Sequence, residues 1–224
     1  MTTRQQQRGE LFDRLAVVGK AFSSARRLAL IDVLAQGEHT VEELAHELGL
    51  GMSTVSAHLQ ILRSAHVVAT RREGTRIHYR LAGDDVVALY AAMQAVATAH
   101  SADVEQALAA YIGTGRHEGV ELISRTELLP RLGDARLTLV DVRPLSEYES
   151  GHLPGAVHVP LGDLVDRLDT LPEGTEVVAY CRGAWCVLAH DAVALLHERG
   201  IPARRLEDGM LEWRSAGLPV EVAS

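Results

Sequence analysis

Cysteine is nearly absent from this chain. Of 224 residues only Cys181 and Cys186 carry a thiol, so a fold stapled by several disulfides is excluded. A lone pair of this kind is more often reactive or metal-binding than structural. Aromatic residues are also scarce, at 4%, while alanine is abundant, which suits helices packed through small and branched side chains. No run of about 18 uninterrupted apolar residues occurs, so no membrane span is expected. The opening residues, Met1-Thr-Thr-Arg-Gln-Gln-Gln-Arg-Gly, lack an apolar core and do not form a secretory signal. A cytoplasmic protein is expected.

Nearly half the residues are apolar, at 47%, enough for one large core or two ordinary ones. The net charge of −8 is unevenly spread. Residues 1–118 hold 12 basic and 13 acidic side chains, and residues 119–224 hold 10 and 17. Between Arg63 and Arg80 the balance reverses, with five arginines against one glutamate. A local basic strip is a better guide to phosphate contact than the sum over the chain.

Hydrophobic periodicity divides the chain into two textures. Leu11, Leu15 and Val18 recur at helical spacing, as do Leu28, Ile31 and Leu34. Thr40 and Glu43 form a capping box ahead of Leu44 and Leu48. After a turn bracketed by Gly49 and Gly51, a second helix is expected over about 53–64, with Val55, Leu59 and Leu62 on one face. Two short helices joined by a glycine-containing turn make a helix-turn-helix. Glu73-Gly74-Thr75 then separates two strand-like runs, a hairpin signal. Residues 86–112 contain no proline or glycine and predict one long helix. Residues 113–119 hold three glycines in seven and predict a linker. Beyond it, strands at 120–123, 137–142, 157–159, 176–180 and 204–206 alternate with helices, the pattern of a parallel sheet covered by helices.

The run from Thr54 to Leu81 resembles the winged helix-turn-helix of ArsR/SmtB-type bacterial repressors, over roughly residues 8–105. With Val55, Leu59 and Leu62 inward, Ser53, Thr54, Ser56, Ala57 and Gln60 are candidates for the major groove, where Gln60 suits an adenine edge. Arg71, Arg72 and Arg76 sit at the wing, in reach of phosphates or the minor groove. The resemblance implies double-stranded operator DNA as partner. It also implies a homodimer through the first and last helices of this half. Many such repressors bind metal through cysteines or through acidic and histidine residues on the dimer helix. Residues 1–180 contain no cysteine, and His100 with Asp103 has no complementary pair upstream, so no metal and no cofactor are expected.

In the second half, Leu139-Val-Asp-Val-Arg-Pro-Leu-Ser-Glu-Tyr-Glu-Ser-Gly-His-Leu-Pro-Gly-Ala-Val-His-Val-Pro160 and Asp208-Gly-Met-Leu-Glu-Trp-Arg-Ser-Ala-Gly-Leu-Pro219 resemble the opening and closing segments of the rhodanese family. Asp141, Arg143 and Glu147 are expected to form a charged network supporting the loop. The expected fold is therefore two domains: a mainly-α winged helix-turn-helix over 1–112, the linker 113–119, and an α/β rhodanese-like domain with a central parallel sheet over 120–224.

The apolar strand Glu176-Val-Val-Ala-Tyr180 stops at Cys181-Arg-Gly-Ala-Trp-Cys186, and a helix follows. Loop amides and a helix N-terminus there favour thiolate over thiol, and the thiolate is the reactive form. The resemblance implies that Cys181 is the catalytic residue, attacking a sulfane sulfur and becoming a persulfide. The donor would be thiosulfate, polysulfide or a low-molecular-weight persulfide. Arg182, Gly183, Ala184 and Trp185 make the substrate-binding loop, with Gly183 supplying curvature and Arg182 attracting an anion. Related phosphatases close a seven-position loop with arginine. Position seven here is Val187, so the six-position loop suits sulfur better. Cys186 has two readings, a small residue packed behind the loop or a resolving thiol. The leading expectation is a transcriptional regulator, most simply a repressor, that senses sulfane sulfur. A sulfurtransferase tethered to a winged helix is the alternative, and a Cys181–Cys186 thiol–disulfide switch is the third.

Overall fold

The computed structural model describes residues 3–113, 119–172 and 174–222. The chain divides into two compact units, residues 1–86 and 87–224.

The first unit begins with α1 (Thr3–Phe22) and α2 (Ala25–Leu34). Next come α3 (Val41–Glu47) and α4 (Met52–Ser64), then the hairpin β1 (Val68–Glu73) and β2 (Arg76–Leu81). The expected capping box opens α3. The Glu43 amide donates to Thr40 Oγ1 at 3.3 Å, and the Thr40 amide donates to Glu43 Oε2 at 2.7 Å. Leu30, Ile31, Leu44, Val55, Leu59 and Leu62 are fully buried. Burial of each stabilises the packing of α2, α3 and α4 by roughly 1.5–3 kcal/mol. The hairpin pairs Val68 with Leu81 through Glu73 with Arg76. Its tip turns through Gly74 at φ 59°, a conformation that side-chain-bearing residues resist. His39 and Tyr79 exchange backbone hydrogen bonds of 3.0 and 2.7 Å, which tie the segment before α3 to the wing.

The single helix expected over 86–112 is two. They are α5 (Asp84–His100) and α6 (Ala102–Ile112). Ser101 breaks them apart in an extended conformation, and its hydroxyl accepts from the Val104 amide at 3.4 Å. A serine that caps a new helix interrupts the pattern without proline or glycine. Residues 114–118, most of the expected linker, lie outside the described residues.

The rest of the second unit runs β3 (Leu122–Ile123), α7 (Arg125–Leu128), β4 (Leu137–Asp141), α8 (Leu145–Ser150) and β5 (Val157–His158). It closes with β6 (Glu176–Tyr180), α9 (Leu188–Glu198), β7 (Ala203–Leu206) and α10 (Met210–Ser215). Among the described residues the strands form one parallel sheet in the order β3-β7-β6-β4-β5. Both faces are covered, which is why its strands read as near-continuous apolar runs. Val177, Ala179, Cys181 and Ala203 share one face with Ala189, Ala192, Val193 and Leu196 of α9. Val178, Tyr180 and Leu206 share the other with Met210 and Trp213 of α10.

Candidate functional site

Cys181 follows the last residue of β6, the middle strand, at the carboxyl end where parallel sheets place their sites. Residues 181–186 form the loop into α9. Three groups hold it. From α10, the Met210 amide donates to the Cys181 carbonyl at 3.0 Å and the Leu211 amide to the Arg182 carbonyl at 2.9 Å. Gly209 lets this helix approach, since a Cβ there would lie 2.4 Å from the Gly183 nitrogen and 2.5 Å from the Cys181 oxygen. The Glu212 carboxylate accepts from the Ala184 amide at 3.2 Å and from the Gly209 amide at 2.9 Å. Burial pushes the Glu212 pKa up.

The third hold is electrostatic. Arg182 Nε donates to Glu147 Oε1 at 2.9 Å, and Glu147 is buried. Its fork is therefore engaged by a carboxylate, which offsets the attraction for an anionic donor expected of it. Beneath it, the fully buried Arg143 and Asp141 pair through Nη2 and Oδ2 at 2.6 Å. Arg143 also donates to the Gly151 carbonyl at 2.7 Å, and the Tyr180 hydroxyl donates to Asp141 at 2.7 Å. The expected network of Asp141, Arg143 and Glu147 is thus two ion pairs, one closing a turn and one gripping the loop. Gly183 is needed for a different reason than curvature. It has no left-handed φ, and a Cβ there would crowd Glu212 Oε2 at 3.2 Å.

Both cysteines are free thiols, and each acts on the ionisation of the other across the loop. Amides of Gly183 and Ala189 also point at Cys181, and those of Leu188 and Arg182 at Cys186. The amide cup is shared between two sulfurs, not centred on Cys181 alone. Cys181 Sγ lies 3.6 Å from the Cys186 carbonyl oxygen and 3.9 Å from that of Gly183, as a donor does. Burial, then Cys186, push the Cys181 pKa well up. The Cys181 thiol, donating to Cys186, brings the latter down to about 7. Burial works against the thiolate expected at Cys181, which is 1% exposed, while the half-buried Cys186 is the sulfur whose pKa is lowered. Ala184 and Trp185 are half-buried at the same loop.

In the first unit, α4 buries Val55, Leu59 and Leu62 as expected. Ser53, Ala57 and Gln60 are exposed, and Thr54 and Ser56 are half-buried. Ser56 and Met52 line one cleft with Thr40, Thr75 and Arg76, so recognition helix and wing share a surface. The three wing arginines are exposed but unequal. Arg71 is held by Glu38 at 2.8 Å and Glu73 at 2.7 Å. Arg72 Nε donates to the Gly74 carbonyl at 3.0 Å, and Arg76 lies opposite Glu73 in the backbone register of the hairpin. The acids at Glu38 and Glu73 offset part of the basic strip.

Sequence reasoning missed Glu212 and Arg205. Glu212 was visible only as part of a family segment. Arg205 sits in β7 at an inward position where the alternation calls for an apolar residue, and it is buried. Among the described residues no cluster of three or more His, Cys, Asp or Glu is placed to hold a metal ion. No described helix is long and apolar enough to cross a membrane.

With this geometry in place, comparison with known proteins is direct. Residues 24–70 match the bacterial regulatory protein, arsR family, and residues 124–216 match the rhodanese-like domain. The HTH-type transcriptional regulator Rv0324 of Mycobacterium tuberculosis is 48% identical over 221 residues, 99% of this chain and 96% of that protein. A sulfurtransferase of Allochromatium vinosum is 31% identical over 103 residues, covering 45% of this chain and 94% of its own. A solution structure of a homodimeric winged helix-turn-helix domain from Mycobacterium bovis, described as a possible ArsR-family regulator, is 46% identical. It covers 45% of this chain and 91% of its own, with a TM-score of 0.42. The chain belongs to the ArsR-family HTH-type transcriptional regulators that carry a C-terminal rhodanese-like domain.

Proposed function

We propose that this regulator is a homodimeric repressor whose thiol pair takes up sulfane sulfur and thereby changes its affinity for operator DNA. The observation that carries the reading is the pair of free thiols in one loop, each acting on the ionisation of the other, in a chain that also carries a DNA-binding module. Cys186, half-buried and with its pKa brought down to about 7, is the first acceptor. Its thiolate attacks the outer sulfur of thiosulfate, the S–S bond breaks, and sulfite leaves with the electron pair. The buried Cys181 then attacks the sulfur held on Cys186. Its proton passes to the departing Cys186 sulfur, and the persulfide ends on Cys181. Amides of Gly183 and Ala189 stabilise the negative charge there. Single donors of this type contribute about 3 kcal/mol in other sites.

Dimerisation has its own support. Leu11, Phe12 and Leu15 stand 66%, 52% and 62% exposed on α1, too apolar a stripe for a free helix face. The Mycobacterium bovis domain is described as homodimeric. A coupling of 1–3 kcal/mol between sulfur site and DNA site suffices for a working switch. The test is operator binding by wild type and Cys181→Ser, with and without polysulfide. Wild type should change its affinity several-fold and the variant should not. An equal response in both overturns the sensing role.

The similarity to a sulfurtransferase supports a second reading, in which the unit turns over thiosulfate and the winged helix only places it. Steady-state turnover with thiosulfate and cyanide separates the two. Many turnovers favour the enzyme, and a single added sulfur of about 32 mass units on one cysteine favours the sensor.

A further inference from the structure

Arg204 and Arg205 are neighbours on β7 with opposite environments. Arg204 Nη1 meets Glu127 at 2.7 Å and Glu176 at 3.4 Å. Arg205 is 6% exposed, and its Nε and Nη1 are buried with no hydrogen-bond partner. A buried guanidinium in that state is costly unless something occasionally answers it. The register shows where it lies. Arg205 pairs with Ala179, and Ala203 pairs with Val177. Val177, Ala179, Cys181 and Ala203 belong to the cluster under α9, so period-2 alternation puts Arg205 on the same face of the sheet as Cys181.

Among titratable groups, α9 packs on β7 and brings the buried His190 and also His197, whose Nε2 lies 2.8 Å from the Ala203 carbonyl oxygen. Cys181 and Cys186 act on Arg205 from the loop, Glu212 from α10 and Glu207 from the end of its own strand. Burial pushes its pKa down, and those four groups push it back up. Glu212 is already engaged by the Ala184 and Gly209 amides, and burial favours its neutral form. The sulfurs are the groups acting on Arg205 from the loop itself.

We infer that Arg205 is the counter-cation of the two-thiol pocket, a positioning residue that holds the thiolate, and then the persulfide anion, in the loop. Its unsatisfied N–H groups are a standing cost in the protonated state, relieved when a sulfur ionises. This rests on the reading of the loop as a thiol site, but not on any particular donor. Arg182, although bound by Glu147, also lowers the Cys186 pKa, and Arg205 is the second cation beside the pair.

The test measures thiol labelling of the full-length protein by iodoacetamide from pH 5 to 10, with thermal melting alongside. In Arg205→Met and Arg205→Gln the apparent thiol pKa should rise by about one unit, and labelling at pH 7 should slow about five- to tenfold. Arg205→Lys should retain most of the wild-type profile. The melting temperatures of the neutral variants should hold or rise, because an unpaired buried cation has been removed. An unchanged labelling profile in a folded Met or Gln variant overturns the inference. So does a Lys variant as slow as the neutral ones. A large loss of stability in both neutral variants also overturns it, since that reports a structural arginine. The labelling needs no sulfur donor. Failure of wild type to accept sulfur would therefore sink the proposed function and leave the role of Arg205 standing.

Discussion

Replacing Gly209 with alanine is the sharpest perturbation of the loop. Gly209 has an extended backbone, φ −148° and ψ −161°, so alanine adds no conformational strain. It adds one methyl group where the loop backbone already stands. The nearest atoms are the Gly183 nitrogen at 2.4 Å, the Cys181 oxygen at 2.5 Å and the Gly183 Cα at 2.6 Å. None belongs to a side chain that can swing aside. The loop and the start of α10 must part by roughly 0.6 Å or more, which overpacking data price at about 1–3 kcal/mol. The bonds from Met210 and Leu211 to the Cys181 and Arg182 carbonyls, 3.0 and 2.9 Å, stretch together. For a unit of this size a loss of about 2 kcal/mol lowers the melting temperature by about 7 °C. The larger effect falls on chemistry, because misplacement of about 1 Å costs up to about a hundredfold in rate. Gly162→Ala is the control, as nothing lies within 4 Å of its Cβ position. Calorimetry and the rate of persulfide formation from thiosulfate read the two effects. If Gly209→Ala melts with wild type and accepts sulfur at the same rate, the account of how α10 positions the loop is wrong.

Other consequences follow from the charges. In Cys181→Ala, Cys186 loses the thiol that donates to it, so its titration should climb from about 7 toward the ordinary range. Labelling at pH 7 then drops several-fold, and a titration that stays near 7 would contradict the action of one thiol on the other. Arg182→Ala leaves the buried Glu147 carboxylate without its partner and should cost about 3 kcal/mol at pH 7. Chemical denaturation measures that loss, and a value under about 1 kcal/mol would deny the pair its grip on the loop. On the DNA side, Gln60→Ala should weaken operator binding by about 1–3 kcal/mol and spare non-specific binding. Arg76→Ala should weaken both and lower the slope of log affinity against log salt by about one. Titrations at two salt concentrations distinguish the two residues.

Much of this protein was legible in its sequence, because the signals were local. The Thr40–Glu43 box, the inward trio of α4 and the glycine-tipped wing are set by residues three or four apart. The strands of the second unit announced themselves as apolar runs bounded by turns. The join between α5 and α6 was missed because Ser101 caps a helix without the punctuation of proline or glycine. The parallel order of β6, β4 and β7 is not local, yet alternating strands and helices leave few other arrangements.

The sequence alone determined that two sulfurs lie five residues apart at the end of a strand. Chain order carries that information, and so does the choice of ArsR-type and rhodanese-like folds. Only the tertiary structure decided that the pKa of Cys181 is raised and that of Cys186 lowered. That depends on burial, on amides from Gly183, Leu188 and Ala189, and on one thiol donating to the other. It also decided that Arg182 belongs to Glu147 and that Arg205 lies unpartnered on the face of Cys181. Electrostatic energy depends on distance and on surrounding dielectric, and neither is written in spacing along a chain.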